Sequence, residues 1–217
     1  MSLELKNFYL AFENKMLIKN ANVTFNKGII NHLQGKNGAG KTTLLQAICG
    51  FVPSIVDAHA KGEIVLNGVQ IAGLPANEIA SKITCISSKP FYFLGSVKEE
   101  LAFGLENLLY PKQQILTAID DIACKMNLRN LLNKSPNKLS GGELQRVAFA
   151  CSFLMPAEVI LIDEGFSKLD TESKILVGDY LRESCNDKII IVVDHTEYFK
   201  DTKKYLIEDG EIIEYNS

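Results

Sequence analysis

The residues best placed to do chemistry form one stretch, Gly35-Lys36-Asn37-Gly38-Ala39-Gly40-Lys41-Thr42. It fits the pattern G-x-x-x-x-G-K-[ST] of a phosphate-binding loop. Glycines let the backbone curl until several N–H groups point at one phosphate. Lys41 is positioned to reach the outer phosphates, and the Thr42 hydroxyl to coordinate Mg²⁺. The flanking sequence supports this. The apolar run 29–33 before the loop reads as a buried strand, and 43–49 after it carries a helical pattern. A helix starting at the loop adds unpaired N–H groups and the positive end of its dipole. A Gly-rich strand-to-helix turn without a ligand would leave the Lys-Thr pair unexplained.

A second anion-binding helix start is expected at Leu139-Ser140-Gly141-Gly142-Glu143, which opens a helix running to Met155. That helix is expected to bury one face: Leu144, Val147, Ala148, Cys151 and Leu154. About twenty residues later the apolar strand 159–162 ends in two carboxylates, Asp163 and Glu164. In phosphate-loop nucleotidases the first such carboxylate holds Mg²⁺. The second can orient or deprotonate an attacking water.

The elements that must position these groups follow from pattern. Alternation over Leu3–Phe12 predicts a strand, and Met16–Ile18 and Ala21–Phe25 two short ones. Residues 54–61, including His59, read as a loop. Gly62–Leu66 and Val69–Ile71 flank Asn67-Gly68, a hairpin signal repeated at Asp209-Gly210 near the end. Residues 83–86 predict another buried strand. From Ser96 the period becomes helical: Ser96–Glu99 is a capping box and 113–126 a helix. The stretches 172–184 and 188–193 complete the core as a helix and a strand. The expected fold is α/β: a phosphate-loop nucleotidase core with a mainly parallel sheet, an N-terminal antiparallel β subdomain and an inserted helical subdomain. The chain reads as one domain, with residues 1–88 and 156–217 as core and 89–155 as helical subdomain.

The order of phosphate loop, Leu-Ser-Gly-Gly-Glu and apolar strand with Asp-Glu resembles the nucleotide-binding domain of ATP-binding cassette (ABC) transporters, over essentially the whole chain. The resemblance implies an ATP-hydrolysing subunit that drives transport by a separate membrane subunit. It implies head-to-tail pairing with a second ABC domain, identical or paralogous. Each ATP would lie between the phosphate loop of one copy and the Ser140–Glu143 signature of the other. It further implies that Gly35 to Thr42 and Thr43 hold the nucleotide, that Phe12 stacks on adenine, and that Asp163 and Thr42 hold Mg²⁺. Glu164 takes the place of the catalytic glutamate and Asp170 that of the loop coupling the two sites. His195, after a strand end, resembles the histidine that contacts the γ-phosphate, whereas His32 and His59 are expected to be structural. One element departs. The family carries a Gln before the helical subdomain that contacts Mg²⁺ and water, and Ser88 stands at that position here. A shorter side chain would reach the metal through water. Gln34 is no substitute, because it lies on the phosphate-loop strand.

Composition narrows the class. The formal net charge is −3 with scattered basic residues, so nucleic acid is not an expected partner. The five cysteines form no C-x-x-C pair, which fits neither a zinc site nor a disulfide framework and suits a reducing compartment. No run is long enough to span a bilayer and no signal peptide is evident. The expected location is therefore cytoplasmic, peripheral on the inner face of the cell membrane. The alternative is a non-transport ABC ATPase serving a soluble complex as an assembly or regulatory subunit. A non-catalytic nucleotide switch is a third class, favoured only by Ser88 and opposed by Glu164 and His195.

Overall fold

A computed structural model describes residues 1–13, 15–90, 92, 95–194, 198–199 and 201–215. The chain divides into two compact units: residues 1–85, 157–164 and 182–217 form one, and 86–156 with 165–181 the other. Residues 165–181 thus cluster with the helical insertion, although they lie beyond its expected end.

The first unit contains two sheets. In the antiparallel one, β1 (Ser2–Phe12) lies between β2 (Lys15–Asn26) and β4 (Ala58–Leu66), with β5 (Val69–Gln70) at the far edge. Apolar residues alternate inward along β1 and β2, so one face builds core and the other meets solvent. Two expectations fail here. The two short strands expected over 16–25 are one continuous β2. Its middle residues Lys19 and Asn20 are exposed, and Asn20 turns left-handed (φ 49°), which hides the continuity from a period-2 reading. The loop expected over 54–61 is already strand from Ala58. His59 pairs in register with Ala11 and is exposed, so it is no core histidine.

The second sheet has the order β10-β9-β3-β8-β7-β6, with β3 (Ile30–Gly35), β6 (Ile83–Ser87), β7 (Val159–Asp163), β8 (Ile189–Val193), β9 (Thr202–Glu208) and β10 (Glu211–Tyr215). β3 pairs in parallel with β8 and β9, and β7 in parallel with β8. All five residues of β8 are buried, as in a parallel sheet covered on both faces. Asp209-Gly210 closes the antiparallel β9–β10 hairpin. Helix α1 (Lys41–Ile48) follows β3 through the phosphate loop, and α2 (Ala76–Ala80) is a short turn before β6.

One buried polar group ties β3 into place. The Asn31 side chain is fully buried and its Nδ2 donates to Asn26 O and Ile190 O, both at 3.0 Å. The Tyr205 hydroxyl donates to Thr24 O at 2.8 Å and lies 3.4 Å from Asn31 Oδ1. Four strands, β2, β3, β8 and β9, are thereby joined around one amide, with its polar atoms satisfied.

The second unit is built on α3 (Val97–Asn107), α4 (Lys112–Lys125), α5 (Gly141–Leu154) and most of α6 (Thr171–Ser184). Ser96 caps α3 by accepting from Glu99 N, as its sequence predicts. Helix α5 buries more than the single face expected. Gln145, Phe149, Ala150, Ser152 and Phe153 are buried with Val147, while Leu144, Ala148, Cys151 and Leu154 are only half-buried. Phe149 packs edge-on against Phe166 at 5.4 Å, and Phe153 stacks on Tyr180 at 4.1 Å.

Replacing Asn31 by Ala leaves two strand carbonyls short of a donor. We expect a loss of about 2 kcal/mol or more, read as a lower urea midpoint with unchanged slope. A midpoint equal to wild type would remove Asn31 as the tie.

Candidate nucleotide-binding site

The phosphate loop is shaped by glycines that its surroundings require. Gly38 and Gly40 adopt φ of 76° and 100°, a region that L side chains rarely enter. A Cβ at Gly40 would also lie 2.9 Å from the Leu17 Cβ of β2, and one at Gly35 2.8 Å from Ile207 O of β9. Helix α1 begins directly after Gly40, with no side-chain cap and no acidic residue in its first turn. Its first N–H groups and dipole end are left for an anion. Lys41 is 8% exposed, and its Nζ donates to Gly35 O at 2.7 Å and Lys36 O at 3.1 Å. The ammonium is therefore folded against the carbonyls of the same loop.

The sheet brings the carboxylates of β7 to this loop. The Thr42 hydroxyl stands close enough to the Asp163 carboxylate to favour its charged form. Burial raises Asp163 from its ordinary carboxylate value, with the Thr42 hydroxyl opposing, and Glu164 and Asp194 add to the rise while Lys41 counters it. A hydroxyl and a carboxylate are hard oxygen donors of the kind Mg²⁺ uses together with substrate phosphates. Among the described residues no three His, Cys, Asp or Glu side chains cluster as a metal cage. Glu164, next along, has φ 53°, left-handed for a residue with a side chain, and its N–H donates to Val193 O at 2.7 Å. That bond to β8 holds a conformation otherwise disfavoured by about 1–3 kcal/mol.

Phe12 ends β1, in register with Lys15 across the turn, and is 39% exposed. His32 is buried, its Nε2 2.9 Å from Asp194 O. His195 lies outside the described residues.

The second unit carries the other predicted group. Ser140 caps α5 and Glu143 answers it in a capping box: Ser140 N donates to Glu143 Oε2 at 2.7 Å, and Ser140 Oγ donates to the same oxygen at 2.8 Å. A Cβ on Gly142 would lie 3.3 Å from Lys168 O, so the small residue lets the loop before α6 approach. Asp170 accepts from Ser173 N at 2.8 Å and so caps α6. Ser88 follows β6 in this unit and is half-buried. The phosphate loop, Phe12, Asp163 and Glu164 thus share one unit, and Ser88, Ser140–Glu143 and Asp170 the other.

Sequence reading passed over two residues after the signature. Arg146 Nη1 donates to Ser173 Oγ at 2.6 Å, joining α5 to the start of α6. Gln145 is fully buried and its Nε2 donates to Ser87 O at 3.1 Å, beside Ser88. The available signal was two polar residues inside a helix that is buried nearly all round.

The chain is similar to known proteins. The sequence profile of the ABC transporter family matches residues 18–167. A provisionally named ABC transporter ATP-binding protein of Caldanaerobacter subterraneus subsp. tengcongensis is 30% identical over 94% of this chain and 37% of its own length. One of Photobacterium profundum is 31% identical over 98% of this chain and 40% of its own length. The chain therefore spans about two fifths of these relatives. An energy-coupling factor transporter ATP-binding protein of Mycoplasma mobile is 29% identical over 97% of this chain and 78% of its own length. The solved structure of a bacterial Atm1-family ABC exporter with ATP bound superposes with a TM-score of 0.82. It covers 98% of this chain and 38% of that one at 19% identity, a likeness of fold.

The signature capping box has a pH signature. The Ser140 N–H, then its hydroxyl, hold the Glu143 carboxyl below its ordinary value of 4.5. A lowered folded-state pKa stabilises above the unfolded value and is lost as pH falls through the folded one. The melting temperature of Glu143→Gln should sit below wild type at neutral pH, and the gap should close on acidification below the ordinary carboxylate value. A gap independent of pH would mean that the charge of Glu143 contributes nothing there.

Proposed function

The chain belongs to the ABC transporter family, and from that premise we propose that it is the ATP-binding and ATP-hydrolysing subunit of a transporter whose spanning part is a separate membrane subunit. The observation that carries the proposal is the meeting of the Thr42 hydroxyl with the Asp163 carboxylate, within the influence of the Lys41 ammonium. It joins the residue that ends the phosphate loop to the carboxylate that ends β7. The pair has the chemistry to share Mg²⁺ with bound ATP, and the metal would neutralise charge on the outer phosphate oxygens.

Within that reading the chain's own groups divide the work. The N–H groups from Gly35 to Thr43 and the start of α1 bind the phosphates, and Phe12 offers an exposed ring for adenine. Lys41 stabilises the transferring phosphoryl group. Glu164, fixed by its bond to Val193 O, orients and polarises the water. His195 is assigned the γ-phosphate contact on sequence alone. A second copy, head to tail, adds its Ser140–Glu143 helix start to the same ATP, and Asp170 links the two sites. Ser88 is assigned a water-mediated metal contact on sequence alone.

The membrane partner is assigned to the helical unit. Among the described residues no helix is long and apolar enough to cross a membrane, so a transporter needs that part elsewhere. Between α3 and α4 is a cavity of about 550 Å³ lined by Ala102, Leu109, Tyr110, Ile115, Leu116 and Ile119, with Lys98, Glu99, Glu106 and Lys112 adding charge. Leu109 is 89% exposed and held at φ 59°, so the fold displays an apolar side chain at the expense of a strained backbone. A helix of the membrane subunit is the occupant this surface suits, at the inner face of the cell membrane.

Glu164→Gln should bind ATP and accumulate ATP-dependent dimer in light scattering, while phosphate release falls about 100-fold or more. Near-normal turnover with the transport partner present would remove Glu164 from the water-activating role. Ser140→Arg should abolish the ATP-dependent dimer while leaving binding by the monomer intact. An unchanged dimer would refute the head-to-tail arrangement. Leu109→Asp should leave ATP binding unchanged and prevent co-purification with a polytopic membrane subunit. Retained co-purification would move the docking site elsewhere, and co-purification with a soluble complex alone would favour the assembly-subunit alternative.

A further inference from the structure

Lys15 is the first residue of β2 and sits opposite Phe12 across the β1–β2 turn. Its Nζ donates to Gly38 O, inside the phosphate loop, at 3.0 Å. It lies 4.0 Å from where a Cβ on Gly38 would be. The first strand pair therefore delivers a cation to the rim of the loop, 23 residues away in sequence.

We propose that Lys15 is a phosphate-binding residue of this site, placing its ammonium on the phosphate oxygens of the nucleotide that Gly35–Thr42 holds. The assignment rests on the nucleotide-binding reading above and extends it to a residue outside the loop motif.

Three features carry it. First, the chemistry repeats that of Lys41. Lys41 Nζ rests on Gly35 O and Lys36 O from within the fold, and Lys15 Nζ rests on Gly38 O from the exposed side. Both ammonium groups sit on carbonyls of one loop. Second, the charge of Lys15 is not matched. The described ion pairs involve Lys6, Lys82, Arg129 and Lys203, and among the described residues Lys15 has no carboxylate partner. A carbonyl supplies a partial charge only, and an ammonium has three donors, so phosphate oxygens are the stronger partner available. Third, the approach is fixed by backbone. Phe12 and Lys15 are register partners, and Leu17, two residues on, packs against Gly40 of the same loop. The strand that places Lys15 is thus held on both sides of it.

Lys19 provides the internal comparison. It lies on the same strand and its Nζ also donates to a carbonyl, Asp209 O at 3.1 Å, in the β9–β10 turn. It has the same local chemistry without a phosphate loop beneath it.

The test is nucleotide titration by calorimetry of the full chain, with ATP and with AMP, which lacks the outer phosphates. Lys15→Gln should weaken ATP binding about fivefold, as expected for losing one screened charge near a polyanion. Lys15→Arg should restore most of the affinity, AMP binding should change little, and Lys19→Gln should match wild type. The dependence of ATP affinity on salt should be shallower in Lys15→Gln. Wild-type ATP affinity in Lys15→Gln overturns the proposal. So does an equal loss for ATP and AMP, which would give Lys15 a role in holding the Phe12 hairpin instead. Lys41→Ala separates the layers. If wild type binds ATP and Lys41→Ala does not, a silent Lys15→Gln refutes Lys15 alone. If wild type fails to bind ATP, the nucleotide reading and the Lys15 assignment fall together.

Discussion

The phosphate loop exists in this shape because two strands from different sheets press against it where only glycine fits. Ile207 of β9 closes on Gly35 and Leu17 of β2 closes on Gly40. Each contact depends on its own sheet being in register. The Asn31 amide, bonded to Asn26 O and Ile190 O, fixes β3 against β8 and the end of β2. A slip of one residue in β3 would turn its side chains to the opposite face and carry Gly35 away from Ile207. The loop is a consequence of the packing of both sheets rather than a local motif that happens to be Gly-rich.

The buried strand β8 transmits the same constraint to the chemistry. It pairs with β3, which ends in the loop, and with β7, which ends in Asp163. Parallel pairing puts both ends on the same side of the sheet, where open α/β sheets bind their ligands. The bond from Glu164 N to Val193 O then holds the second carboxylate in a left-handed conformation that nothing local favours. Backbone pairing, rather than side-chain packing, sets the position of the charged groups.

The phosphate loop, the β7 carboxylates and the position at which α5 starts were legible because their chemistry demands particular residue types at fixed spacing. The same is true of the Asp209-Gly210 hairpin. What was not legible depends on partners distant in the chain. Residues 58–61 gave no strand signal because His59, Ala60 and Lys61 are all exposed, and their pairing with β1 alone makes them strand. The length of β2 was hidden by the exposed bulge at Asn20. Helix α5 misled in the other direction, since burial on several sides leaves no single stripe to read. Lys15 and Arg146 act through Gly38 and Ser173, and no periodicity links either residue to its partner.

The two helix starts in this chain differ in one electrostatic respect. Helix α1 begins with a left-handed glycine, no side-chain cap and no acidic residue, so its donors and dipole need an external anion. Helix α5 begins already answered: Glu143 accepts from both the N–H and the hydroxyl of Ser140. A phosphate approaching α5 meets a carboxylate, and the two compete for the same donors. It gains there only once its own charge has been largely offset, and the groups able to do that, Lys41 and the N–H groups of the loop, are at α1. In a head-to-tail pair this imposes an order. On the proposed pairing, nucleotide taken first by the phosphate loop of one copy would be the better partner for the self-capped helix of the other.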